Sequence, residues 1–321
     1  MSEYKNIIGT HIKTVTTDPP NPENGQMWYN STTKVVKGFT DNPAGAWATS
    51  GSMNTARDFS GSAGIQTSSL VFGGQPPSGP VMSSSESYNG STWTNTPSMG
   101  TGRRDTTGAG ASNTAAIVIG GQDTGNAAEA NVELFNGSSW SEQSDLNTSR
   151  RGAGGSGTST SALASGGSQE GGAGTVAFTE SWNGSSFTEV ADMNTARSPV
   201  FCGAAGASNT SQINVRGSNT EQYNGSSWTE VADLNTSRLG AAAGTATATI
   251  VSGGSPQRAV TEIWNGSAWT EVSDLNTGRS NMAGAGTTTA GLGMGGETTT
   301  VSSATEEFTS PATSTVTFTV S

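Results

Sequence analysis

The chain has 321 residues, of which 31% are hydrophobic, 12% are charged and 45 are glycine. Its net charge of −11, single cysteine (Cys202) and single histidine (His11) exclude an internal disulfide, a cysteine- or histidine-cluster metal centre, a Ser-His-Asp triad and a phosphate-neutralising nucleic-acid surface. Low charge and 8 Trp, 4 Tyr and 9 Phe separate it from disordered chains of equally low hydrophobicity, leaving an ordered, Gly-rich, all-β protein.

The lysines (Lys5, Lys13, Lys34, Lys37) all fall in the first 37 residues, and every later cation is arginine. This asymmetry predicts two parts, an N-terminal arm and hairpin over 1–39 and a repeat domain over 40–321. The N-terminus lacks the apolar core of a secretory leader, and no apolar run reaches the roughly 18 residues of a membrane span, so no membrane insertion is expected. Thr16-Thr17-Asp18-Pro19-Pro20-Asn21-Pro22 favours extended backbone. Met27–Asn30 and Lys34–Phe39 then read as a hairpin around Ser31-Thr32-Thr33. The Pro-rich lead into Gly25-Gln26-Met27-Trp28-Tyr29-Asn30 resembles N-terminal segments of virion structural proteins of marine tailed bacteriophages. That resemblance implies docking to other virion proteins, with Trp28, Tyr29, Lys34 and Lys37 as the docking residues.

From residue 40 on, one pattern recurs. The turn-like triplets Tyr88-Asn89-Gly90, Phe135-Asn136-Gly137, Trp182-Asn183-Gly184, Tyr223-Asn224-Gly225 and Trp264-Asn265-Gly266 follow at intervals of 47, 47, 41 and 41 residues. Four residues after each Asn stands Trp93, Trp140, Phe187, Trp228 or Trp269, and ten further on Arg103, Arg150, Arg197, Arg238 or Arg279; Trp47 and Arg57 keep that last spacing. A glutamate precedes each first aromatic by two residues: Glu86, Glu133, Glu180, Glu221, Glu262 and Glu306 (before Phe308). Apolar runs such as Leu70-Val71-Phe72 and Ile117-Val118-Ile119 end in Gly-Gly in five units; the fourth reads Ile213-Asn214-Val215-Arg216-Gly217. Each unit therefore predicts four strands: an inner strand of small residues, the apolar run, the Glu-x-aromatic strand and, after an Asn-Gly turn with both residues at positive φ, the Trp strand.

Four strands per 41–47 residues describe a β-propeller blade. The double glycine, the aromatic and the Trp about six residues later resemble the Kelch-repeat family over about residues 40–310. The resemblance implies a fold but little about function. Six arginines mark six blades, with seven as the alternative. The last unit lacks its own Trp strand, which is supplied either by the segment around Trp47 or by Thr315–Val320.

The Asp-Leu/Met-Asn-Thr-x-Arg hexads (Asp145–Arg150, Asp192–Arg197, Asp233–Arg238, Asp274–Arg279) read as crossovers between blades. Leu or Met plugs the interface, Asn and Thr satisfy turn amides, and Arg pairs with the strand glutamate; exposed pairs of this kind add only about 0–1 kcal/mol each. The Asn-Gly-Ser motifs match a glycosylation sequon but sit where hairpins need turns. No segment has helix-loop-helix calcium spacing, so no metal and no cofactor is expected. One histidine cannot build the copper centre of galactose-oxidase-type propellers, and aromatics stand where sialidase-type turns carry Asp, so no catalytic residue is named. The remaining candidates lie in the loops after the double glycines (Gln75–Ser84, Gln122–Ala130, Ser168–Val176, Ser218–Thr220, Ser255–Val260, Glu297–Ser303), because variable loops on a rigid scaffold are where recognition resides. Gln75, Gln122, Asp123, Asn126, Gln169, Glu170, Gln257 and Glu297 offer hydrogen bonds suited to sugar hydroxyls. Together these readings give a non-enzymatic, tail-associated virion protein, present in several copies, that displays a propeller to a host-surface glycan or protein. A decoration protein without a receptor role and a polysaccharide-degrading propeller enzyme are the alternatives.

Overall fold

The computed structural model describes residues 12–20, 26–42, 45–169, 174–197, 203–310 and 312–318. His11, Glu170 and Cys202 lie outside the described residues, as do Thr319 and Val320 of the predicted C-terminal strand. Among the described residues the fold is all-β with no helix. The chain divides into two compact units, Met1–Gly45 with Pro311–Ser321 and Ala46–Ser310.

The first unit is one sheet of β1 (Lys13–Val15), β2 (Met27–Asn30), β3 (Val35–Asn42) and the chain's last strand, β28 (Ala312–Phe318), in that order. β1 and β2 run parallel, and the other neighbours are antiparallel. Asn30 Oδ1 accepts from Thr32 N and Thr33 N, both at 3.0 Å, which closes the expected hairpin by side-chain capping. Trp28 is fully buried. Its Nε1 donates to Asp18 Oδ1 (2.9 Å), Asn30 Nδ2 donates to the same oxygen (2.8 Å), and Lys37 Nζ pairs with Asp18 Oδ2 at 2.6 Å. These three donors, Lys37 foremost, hold the Asp18 carboxyl down at about 2.

Among its described residues the second unit contains six four-stranded antiparallel sheets, consistent with a propeller-like all-β fold. β4 (Ala46–Ser50) comes first in the chain but belongs to the last sheet. Sheet I is β5 (Gly61–Ile65), β6 (Ser68–Phe72), β7 (Ser85–Tyr88) and β8 (Trp93–Thr96). Sheet II is β9 (Thr107–Ser112), β10 (Ala115–Gln122), β11 (Ala128–Phe135) and β12 (Trp140–Glu142). Sheet III is β13 (Gly154–Thr158), β14 (Ser161–Ser165), β15 (Thr179–Trp182) and β16 (Phe187–Val190). Sheet IV is β17 (Gly203–Ser208), β18 (Ser211–Arg216), β19 (Asn219–Tyr223) and β20 (Trp228–Val231). Sheet V is β21 (Leu239–Thr245), β22 (Ala248–Ser255), β23 (Thr261–Trp264) and β24 (Trp269–Val272). Sheet VI is β25 (Ala283–Gly286), β26 (Ala290–Met294), β27 (Thr305–Thr309) and β4, with Phe308 opposite Trp47. Thr315 and its neighbours pair with β3 instead, Thr315 opposite Phe39.

The hairpins differ in one respect from the Asn-Gly turns expected. Of the two residues only the glycine has positive φ (92–96° at Gly90, Gly137, Gly184, Gly225 and Gly266). The loop is four residues long, with Tyr88 opposite Trp93, and Asn89 Oδ1 accepts from Ser91 N and Thr92 N. The Asn is there for its side chain, which caps the loop amides, and the repeats use it identically.

Among the described residues, no sheet has a core of its own. Six apolar clusters each join neighbouring sheets. Leu146, for example, sits with Ile117 and Val132 of sheet II and Trp182 and Phe187 of sheet III, and Met53 sits with Val71 and Trp93 of sheet I and Leu292 and Met294 of sheet VI. Each sheet adds one cross-strand aromatic pair, with ring centroids 4.9–5.4 Å apart, near the range where such pairs add about 0.5–1.5 kcal/mol beyond burial. Several indoles then reach back one sheet: Trp47 Nε1 to Thr261 Oγ1 (3.1 Å), Trp93 Nε1 to Thr305 Oγ1 (3.0 Å) and Trp228 Nε1 to Thr179 Oγ1 (3.1 Å). The first strands of the sheets pack in the order β5, β9, β13, β17, β21, β25 and again β5. Their small residues are a steric necessity. A Cβ on Gly108 would stand 2.4 Å from Phe72 Cζ and 2.7 Å from Ser62 O. Gly108→Ala is therefore expected to cost about 1–3 kcal/mol by overpacking, read as a lower midpoint in denaturant unfolding; an unchanged midpoint would mean that β5 and β9 pack more loosely.

Candidate functional site

The crossover arginines are the most repeated polar feature, and their surroundings are structural. Five arginines meet their glutamates at 2.6–3.0 Å: Arg57–Glu86, Arg103–Glu133, Arg150–Glu180, Arg197–Glu221 and Arg279–Glu306. Arg238–Glu262 is the sixth such pair. All twelve side chains are buried, so the small contribution expected of exposed pairs does not apply. Burial pulls the Arg57, Arg103, Arg150, Arg238 and Arg279 guanidinium pKa values down, opposed by the paired carboxylates. The guanidinium also donates to backbone carbonyls of the sheet the crossover enters, as Arg57 does to Gly73 O and Ser84 O, both at 2.9 Å. The second carboxylate oxygen accepts a turn amide, from Asn54, Gly100, Asn147, Asn194, Asn235 or Asn276 (2.7–2.8 Å). Glutamate thus satisfies the crossover amides, the task expected of Asn and Thr. The Asn side chains donate as well, Asn147, Asn194 and Asn235 Nδ2 to the same carboxylates (2.8–3.0 Å) and Asn276 Nδ2 to the strand carbonyl Trp47 O at 3.2 Å.

The backbone of the same arginine is held by the preceding sheet. Arg103 O accepts from Gly74 N, Arg150 O from Gly121 N, Arg197 O from Gly167 N, Arg279 O from Gly254 N and Arg57 O from Gly296 N (2.8–3.1 Å). Gly73 and Gly74 have φ of 65° and 99°, and a Cβ on Gly73 would lie 2.5 Å from Arg103 O. The double glycine is therefore a receptor for the next crossover.

Just after it, antiparallel bridges Asp58↔Gln75, Arg104↔Gln122, Arg151↔Ser168 and Ser280↔Glu297 tie the loops to the crossovers. Arg104 gathers three of the predicted ligand residues. Its Nε donates to Gln122 Oε1 (3.1 Å), Nη1 to Gln75 Oε1 (3.4 Å) and Nη2 to Asn126 Oδ1 (3.1 Å). Gln122 is buried and donates to Asn126 O (2.9 Å). Asp123 Oδ1 accepts from Ala127 N at 2.8 Å. Gln257 Nε2 donates to Thr298 O at 2.5 Å, beside Glu297. Gln169 lies after the Ser168 bridge. Of the docking residues, Trp28 and Lys37 are engaged with Asp18 inside the first unit, while Tyr29 is half-buried and Lys34 exposed.

Reading the sequence missed Arg104, Asp58 and Asp105. The doubled arginines Arg103-Arg104 and Arg150-Arg151 were the available signal, since the repeat explains only the first of each. Asp58 and Asp105 are buried. Burial, then Glu297 and Asp105, push the Asp58 carboxyl up to about 7, and burial raises Asp105 to about 6. Both values exceed the ordinary one near 4, so the folded state binds the extra protons. Their contribution to stability is full below about pH 4 and is lost as pH rises towards 7. The first strands of all six sheets line a cavity of about 140 Å³ that includes Ser60, Ser62, Thr106, Thr107 and Ser156.

No protein-family model matches the chain, and no curated protein matches it. Among the described residues, no group of three or more His, Cys, Asp or Glu side chains is placed to hold a metal ion, and no helix is long and apolar enough to cross a membrane. Asp58→Asn is expected to raise the melting temperature at pH 8 in chelator-treated buffer and to change it much less at pH 4; parallel shifts at both values would contradict the burial of an unpaired carboxyl.

Proposed function

We propose that residues 46–310 form a six-bladed Kelch-like β-propeller whose ring is completed by β4, and that the chain is a non-enzymatic, tail-associated virion protein of a tailed bacteriophage. The paired Phe308 and Trp47, and the cluster shared by sheets VI and I, support the closed ring. The first unit, in which β3 pairs with β28, is the part assigned to other virion proteins. The propeller is the part assigned to the host surface.

The observation that carries the non-enzymatic reading is the commitment of the repeated polar residues to the scaffold. Each of the six strand glutamates is buried against an arginine and a turn amide. Sequence variation falls instead in the loops that follow the double glycines, around Arg104 on sheets I and II. A polar, hydrogen-bonding surface of this kind suits a glycan or protein partner. The engagement of Gln75, Gln122 and Asn126 with Arg104 also favours a second reading, a decoration protein that covers the particle without binding a receptor.

Antibody against the full chain, applied to purified particles and imaged by electron microscopy, is expected to label the tail. Label spread over the capsid would support the decoration reading, and absence of the chain from particles would overturn both.

A further inference from the structure

The crossovers entering sheets I and II carry polar atoms that neither the Arg–Glu pairs nor the Arg104 cluster uses. Asp58 follows Arg57 by one residue, and Asp105 follows Arg103 by two. A backbone bond from Asp105 N to Phe59 O (2.9 Å) holds the two segments side by side. Asp58 and Asp105 are 4% and 8% exposed, and the Oδ1 atom of each has no hydrogen-bond partner among the described residues. The same is true of Ser60 Oγ and Thr106 Oγ1, in residues 2% and 4% exposed that line the cavity. Thr106 Oγ1 lies 2.8 Å from where a Cβ on Gly61 would stand, against the neighbour of Ser60. Four buried, unpartnered oxygens thus sit on two adjoining segments, and two of them belong to carboxylates.

Leaving such atoms buried without a partner is costly, most of all for a charged group. The surrounding charges offset the deficit only in part. Glu297 is a third carboxylate acting on Asp58; Arg104 acts on both carboxyls from a position hydrogen-bonded to Gln75, Gln122 and Asn126, and Arg151 Nη1 stands 3.9 Å from Asp105 Oδ2. A small, oxygen-seeking cation would displace the extra protons that these carboxyls bind and satisfy all four oxygens at once. These segments offer no sulfur or imidazole for a soft metal. Mg²⁺ requires near-ideal octahedral geometry, whereas Ca²⁺ accepts irregular sets of carboxylate, carbonyl and water oxygens.

We propose that Asp58 and Asp105, together with the Ser60 and Thr106 hydroxyls, form a Ca²⁺ site that joins the crossovers of sheets I and II. With two carboxylates rather than three or more, it is a weak site, with a Kd in the range of about 10⁻⁴–10⁻³ M that low-affinity extracellular Ca²⁺ modules show. The proposal does not depend on the virion reading.

Calorimetric titration of the full chain with CaCl₂, paired with thermal melts in CaCl₂, in MgCl₂ and in chelator, tests it. One Ca²⁺ is expected to bind, and tenfold excess over Kd is expected to raise the melting temperature by about 3 °C, with a smaller rise in Mg²⁺. Asp58→Asn and Asp105→Asn, each confirmed folded by a cooperative melt in chelator, are expected to lose both the binding heat and the shift. No heat and no shift in the parent protein would overturn the proposal. So would a Ca²⁺ response that both variants retain, since the ion would then lie elsewhere.

Discussion

The structure depends on one residue doing two things at once. Each crossover arginine places its guanidinium on a buried glutamate of the sheet the chain is entering. In five of the six junctions between sheets, its carbonyl also accepts from the second glycine of the sheet before. A buried charge is tolerable only when it is paired and hydrogen-bonded. Side chain, carboxylate, turn amide and double glycine therefore have to appear together, and the repeat is the sequence form of that requirement. The fourth unit shows the limit. With Arg216 in place of the first glycine, Arg238 still pairs with Glu262 and its amide donates to Gly217 O (3.1 Å).

This arrangement resolves the paradox of the composition. A chain that is 31% hydrophobic cannot fill a large central core. It has six thin clusters between sheets instead, each built from a Leu or Met of the crossover, an aromatic pair and one apolar run. Glycine and alanine on the first strands let neighbouring sheets approach to distances at which Gly108 has no room for a Cβ.

Much of this was legible in the sequence, because it recurs. The Glu-x-aromatic, Asn-Gly and ten-residue Trp-to-Arg spacings mark the strands, and they identify Arg and Glu as partners. What repetition could not show is environment. Whether the pairs are exposed or buried depends on how sheets stack, and an Asn-Gly turn looks the same whether its Asn contributes a backbone conformation or a side-chain cap. Residues outside the repeat were the hardest to read. Arg104, Asp58 and Asp105 break the repeat, so no spacing announced that Arg104 would gather Gln75, Gln122 and Asn126. In the N-terminal unit, Trp28 and Lys37 looked available for docking, but Asp18, within the Pro-rich lead, holds both.

A double-mutant cycle on one interior pair tests most directly whether the buried ion pairs govern the fold. Arg150 and Glu180, 2.6 Å apart, are far from the chain termini in sequence. Arg150→Met and Glu180→Gln should each cost about 3–5 kcal/mol in denaturant unfolding, because each leaves a buried charge unpaired. The double variant should cost much less than their sum, a coupling of about 2 kcal/mol or more. Single costs below about 1 kcal/mol that simply add, as for an exposed surface pair, would contradict the account.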